Sequence, residues 1–115
     1  MKLQFQADND LDQRIVTAVK RLEPSIDFKT APAIGLHRVA NPDVLSLTVQ
    51  EGRGLVSHDR RTLPDHFRDF ITSQASPSII IVSQKLSIGR AAELLHLLSA
   101  ATEAEEYTNI IYDLP

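Results

Sequence analysis

Four acidic residues stand where this chain could do chemistry: Asp8, Asp10, Asp43 and Asp59. Asp8 and Asp10 follow the alternating stretch Lys2 to Ala7, Asp43 opens a helical stretch, and Asp59 closes the apolar run Gly54 to Ser57. Open α/β sheets gather functional groups outside the carboxyl ends of their strands, so carboxylates distant in sequence can converge there. Such oxygen ligands suit Mg2+ or Mn2+, completed by water and substrate phosphate. A bound ion of this kind neutralises phosphate charge and activates the attacking water. The competing reading is structural, because Asp and Asn at strand ends also form turns and cap helices.

Of the histidines His37, His58, His66 and His96, only His58 has a neighbour suited to chemistry, namely Asp59. A local hydrogen-bonding role competes with catalysis there, and no histidine shows the HExxH zinc spacing. Arg53, Arg60 and Arg61 flank the same run. A guanidinium offers paired donors to phosphate oxygens, while salt bridges to Asp65 and Asp69 or a solvated face would occupy these arginines equally well. The four glycines form no phosphate-cradling loop, and no serine sits in GxSxG. The absence of cysteine excludes disulfides, a thiolate nucleophile and Cys-zinc sites.

Elements must position these groups. Lys2 to Ala7 predicts strand one, with Asn9 or Asp10 capping a helix that runs from Leu11 to the stop at Pro24. Ser25 to Thr30 predicts a short second strand, and Ala31 to Ala40 a loop. Asn41-Pro42-Asp43 starts a helix that Gly52 ends. Gly54 to Ser57 is strand three, Leu63 to Gln74 a helix, and the β-branched run Ile79 to Val82 strand four. Ser87 to Thr102 predicts the last long helix and Asn109 to Tyr112 a final strand. The alternation implies a three-layer α/β domain with a mostly parallel sheet of four to five strands.

With 115 residues, 43% hydrophobic and 23% charged, residues 1–115 suffice for a single domain with its own core. A net charge of -3 argues against a bulk electropositive nucleic-acid binder. It does not exclude a nuclease whose metal ion supplies the positive charge. No stretch approaches the roughly 18 apolar residues of a membrane span, and the N-terminus lacks the apolar region of a signal peptide. A cytoplasmic protein with no membrane association is expected.

The chain resembles the PIN-like domains of small prokaryotic proteins related to the toxins of toxin–antitoxin pairs. The matching stretches are LQFQADND, GLHRVANPDVL, EGRGLVSHDRRTLPDHF followed by SPSIIIVSQKL, and EAEEYTNIIYDLP. The resemblance implies a PIN-like fold, an Mg2+- or Mn2+-dependent ribonuclease, an RNA substrate, a cognate antitoxin and a homodimer. The family's first acid falls on Asp8 and its acid after strand three on Asp59. Its middle Asp-Pro-Glu reads Asn41-Pro42-Asp43, and the place where many relatives carry a second acid after strand three holds Arg61. The implied catalytic and metal-ligating set is therefore Asp8, Asp43 and Asp59, with Arg60 and His58 toward substrate. The two departures motivate an alternative, a catalytically degenerate PIN-like domain that binds a partner protein. A receiver-like phospho-acceptor is a third reading, disfavoured because Lys85 follows strand four rather than strand five.

Overall fold

The structure, a computed structural model, describes residues 3–32, 41–101 and 103–115. Apolar runs make the middle of its sheet. Strands β1 (Phe5–Ala7), β3 (Gly54–Ser57) and β4 (Ile79–Val82) are buried at every residue, as expected of strands covered on both faces. The edge strands are β2 (Phe28–Lys29), which is very short, and β5 (Ile111–Leu114), which exposes Asp113. Both devices discourage pairing with another chain. All five strands are parallel, in the order β2-β1-β3-β4-β5. The chain thus has the α/β class expected from its sequence, a five-stranded all-parallel sheet between layers of helices, compatible with a PIN-like architecture.

Side chains alternate along the strands and feed two cores. Helices α1 (Gln13–Leu22) and α4 (Ile88–Ala101) cover one face, over Phe5, Ala7, Val56, Ile80 and Val82. Helices α2 (Asn41–Glu51) and α3 (Leu63–Phe70) cover the other, over Leu55, Ile79 and Ile81. Gly54 permits the close approach of β3 to β4, since a Cβ there would lie 3.1 Å from Ile80 and 3.2 Å from the Ser78 carbonyl. Gly52, at φ 66°, ends α2 in the left-handed region that glycine enters without penalty.

One connection departs from the others. Helix α1 carries the chain from β1 outward to β2, and α4 carries it the opposite way, from β4 to β5, over the same face. Helices α2 and α3 move the chain toward β5 over the other face. Three crossovers therefore share one hand and the fourth has the other. Parallel crossovers are right-handed in about 98% of cases, which marks the α4 connection as the exception. What it gains is packing of α4 directly against α1. The return to β5 is anchored by a 3-10 turn over Ala104–Tyr107. The buried Tyr107 donates its hydroxyl to the Leu98 carbonyl, in the last turn of α4, at 2.8 Å. Its ring lies 4.8 Å from that of Tyr112.

Several boundaries move relative to the sequence reading. Helix α1 starts at Gln13, and its N-cap is Asp12, whose side chain accepts from the Arg14 N–H at 3.0 Å; neither Asn9 nor Asp10 caps it. The reason is a turn, closed by Leu11 N–H to the Asp8 carbonyl, that buries Leu11 before the helix begins. Helix α3 ends at Phe70 rather than Gln74, and β5 runs Ile111–Leu114 rather than Asn109 to Tyr112. Most of the expected loop Ala31 to Ala40, with Gly35 and His37, lies outside the described residues.

Candidate functional site at the carboxyl edge of the sheet

Parallel strands send all their carboxyl ends, and the N-termini of the helices that connect them, to one edge. Within that edge, the gap between β1 and β3 is where connections depart in opposite directions, and ligands of doubly wound sheets bind at this switch point. Register places Ala7 opposite Val56, so the next residues, Asp8 and Ser57, emerge side by side.

The Ser57 hydroxyl is the hub. Its Oγ lies 2.8 Å from Asp8 Oδ2 and 2.9 Å from Asp10 Oδ1, and it accepts the Asp59 N–H at 3.0 Å. A hydroxyl has one proton to give, so it satisfies one carboxylate at a time. The other close oxygen pair is favourable only with a shared proton or a cation beside it. Asp8 is the carboxyl most ready to hold that proton. Burial pushes its pKa up, and the Asp10 and Asp59 charges add to this; hydrogen bonds from Ser57 and the Asn9 N–H offset only part. Asp10 also accepts the His58 N–H at 3.3 Å.

Asp59 is turned away from this pair. Its Oδ1 accepts the N–H groups of Arg61 and Thr62 at 3.1 and 2.9 Å, and its Oδ2 accepts the Thr62 hydroxyl. Burial alone would raise its pKa, but these hydrogen bonds from Thr62, Arg61 and Leu63 outweigh it and hold the carboxyl below its ordinary range. Asp59 thus organises the turn that starts α3, while its charge still reaches Asp8. Asp43 is exposed in the first turn of α2 and makes no hydrogen bond or ion pair among the described residues.

His58 is engaged at both ring nitrogens. Nδ1 lies 2.8 Å from the Val82 carbonyl, and Nε2 accepts the Asp12 N–H at 3.3 Å. These partners assign the neutral ring with its proton on Nδ1 and make it a staple joining β3, β4 and the start of α1. Arg60 pairs with Asp113 of β5. Arg53 is buried at the opposite edge, where it donates to both carboxylate oxygens of Asp27 at 2.9 and 3.0 Å and to the Phe5 carbonyl at 3.2 Å. Of the expected pairings with Asp65 and Asp69, Asp65 instead holds Arg68.

The sequence reading placed Asp8 and Asp10 together after strand one, but the set implied by the resemblance omits Asp10, and Ser57 was not singled out. The missed signal was strand alternation: the last residue of strand three shares a sheet face with the residue just after strand one. A cleft of about 600 Å³ opens beside Asp10 and His58, between the N-terminal ends of α1 and α4. It adjoins a second of about 420 Å³, lined in part by Asp59, Arg60, Arg61 and Lys85. A third cavity, about 310 Å³, lies at the far edge near Gln4 and His96, away from the carboxylates.

No family model, curated protein or solved structure matches this chain. The site must therefore be read from its own chemistry. Among the described residues no group of three or more His, Asp or Glu side chains is arranged to hold a metal ion. The donor set on offer is two carboxylates, Asp8 and Asp10. That set fits Mg2+ or Mn2+ bound with several waters and a substrate phosphate, and does not fit an all-protein cage. No helix among the described residues is long and apolar enough to cross a membrane.

Proposed function

We propose that this chain is a PIN-like, divalent-metal-dependent ribonuclease that hydrolyses RNA phosphodiester bonds at the carboxyl edge of β1 and β3. The observation that carries the reading is the convergence of Asp8 and Asp10 on one buried hydroxyl at the switch point of the sheet. Asp8 and Asp10 would hold the ion, with Ser57 fixing their spacing. A bound Mg2+ or Mn2+ would neutralise phosphate charge and supply an activated water. Asp59 keeps the β3–α3 turn closed beside the site, and His58 fixes the floor by joining three segments. Asp43, exposed at the start of α2 on the same edge and without a side-chain partner among the described residues, would meet water or substrate. A place as the toxin of a toxin–antitoxin pair rests on the resemblance of the sequence.

The test is Mn2+-dependent cleavage of single-stranded RNA by the purified chain. Asp8→Asn and Asp10→Asn are each expected to reduce cleavage by at least about 100-fold, comparable to losing a principal electrostatic contact in the transition state. Cleavage by both variants at the wild-type rate would refute the site.

The enclosure of Asp59 in its own turn favours a second reading, a degenerate PIN-like domain that binds a partner protein. Calorimetry separates the two: no heat of Mg2+ or Mn2+ binding at millimolar ion supports the binding module.

A further inference from the structure

Five cationic side chains border the clefts on the carboxyl edge, and they are not equivalent. Arg14 is held by Asp12, Arg60 by Asp113 and Arg68 by Asp65. Arg61 and Lys85 are exposed and make no ion pair among the described residues. Both line the same cleft of about 420 Å³, together with Ser83 and Gln84 of the turn after β4.

That cleft is continuous with the carboxylate site. It shares His58 and Gln84 with the cleft that holds Asp10, and it shares Arg60 and Arg61 with one of about 240 Å³ that runs on to Arg68 and β5. The three form a track along the sheet edge: Asp10 lines one end, Arg61 and Lys85 the middle, and Asp65 and Asp113, each paired with an arginine, the far end. The acid that lines their cleft, Asp59, has both oxygens occupied within its turn.

We infer that Arg61 and Lys85 form a phosphate-binding subsite that grips a single-stranded nucleic acid next to the bond held over Asp8 and Asp10. The identity of the ligand rests on the ribonuclease reading. Arg61 supplies planar paired donors to phosphate oxygens and Lys85 a mobile point charge. Arg60 is occupied by Asp113 and His58 by backbone groups, so the strand contact passes to Arg61 and Lys85, which hold no ion pair among the described residues. Two phosphate contacts of this kind suit a protein of net charge -3, because they act locally and need no basic surface.

The experiment measures binding of a fluorescent single-stranded oligoribonucleotide in EDTA, across a series of salt concentrations. Each neutralised phosphate contact adds about 0.7 to the slope of log affinity against log salt. Arg61→Gln and Lys85→Gln should each flatten the slope by about that amount, and the double variant by about twice it. Lys20→Gln, the same charge change at the far end of α1, should leave the slope unchanged. Equal slopes in the site variants and Lys20→Gln would overturn the subsite, as would absence of binding by the wild type. Displacement by an acidic peptide of equal charge as effective as by RNA would overturn the phosphate chemistry. Because EDTA removes catalysis, the readings fail separately. Cleavage without the slope change removes only the subsite, and the slope change without cleavage removes only the ribonuclease.

Discussion

Asp8 carries a cost that an ion would relieve. Its folded-state pKa lies above the ordinary aspartate value of 3.8, first because it is buried. A carboxyl raised on folding adds stability below the unfolded value and loses that contribution as pH rises through the folded one. At pH 7 the buried Asp8 carboxyl therefore costs the fold stability. Asp8→Asn keeps an oxygen for the Asn9 N–H and offers an amide N–H to Ser57, without the charge. In EDTA at pH 7 its Tm should exceed that of the wild type, with the difference shrinking as pH falls toward 4. The wild type should in turn gain about 1.4 kcal/mol from Mn2+ at ten times its dissociation constant, or about 5 °C in Tm, and the variant little. Calorimetric melting at several pH values checks both; a variant that melts below wild type in EDTA would contradict the cost assigned to burial.

At the scale of elements, Asp59 joins β3 to α3, and its two conservative replacements separate scaffolding from ligation. Asp59→Ala removes the acceptor for the Arg61 and Thr62 N–H groups and should cost about 1 kcal/mol, as loss of a helix cap does. Asp59→Asn keeps one acceptor oxygen, so stability and most RNA cleavage should survive. Urea denaturation paired with cleavage rates decides the matter: an Asn variant as stable as wild type but as inactive as Ala would make Asp59 a direct ligand. The α1 start shows the same competition. Asn9, Asp10 and Asp12 are all competent caps by residue type, and the buried Leu11 decided for Asp12. Arg14 then folds back on that carboxylate and holds its pKa down at about 2, so the cap remains charged to strongly acidic pH.

At the scale of the whole molecule, the two edges of the sheet divide the work. The carboxyl edge carries the acids, and the amino edge carries the Arg53 staple. Arg53 ties β1 and the approach to β2 through the Phe5 carbonyl and Asp27. Arg53→Ala should lower stability by about 2 kcal/mol, a figure kept below that of a fully buried pair because Asp27 is half exposed. Being at the far edge, it should leave RNA cleavage per folded molecule unchanged. A shift of the urea midpoint with an unchanged slope would show the first, and active-site-normalised rates the second.

The sequence by itself determined the layers. Strands β3 and β4 and the start of α3 were legible because uninterrupted apolar runs and a helix-opening Pro64 are local signals that burial on both faces reinforces. Asp8 was legible from the alternation of Leu3, Phe5 and Ala7 that ends just before it. Only the tertiary structure decided what the acids do. A parallel register set Ser57 beside Asp8, a turn brought Asp10 back to the same hydroxyl, and three donors within one turn claimed Asp59. Residue type fixes which hydrogen bonds a carboxylate can accept. Which partners arrive within 3 Å depends on neighbours about fifty positions away, and on the crossover of α4 that no local pattern encodes.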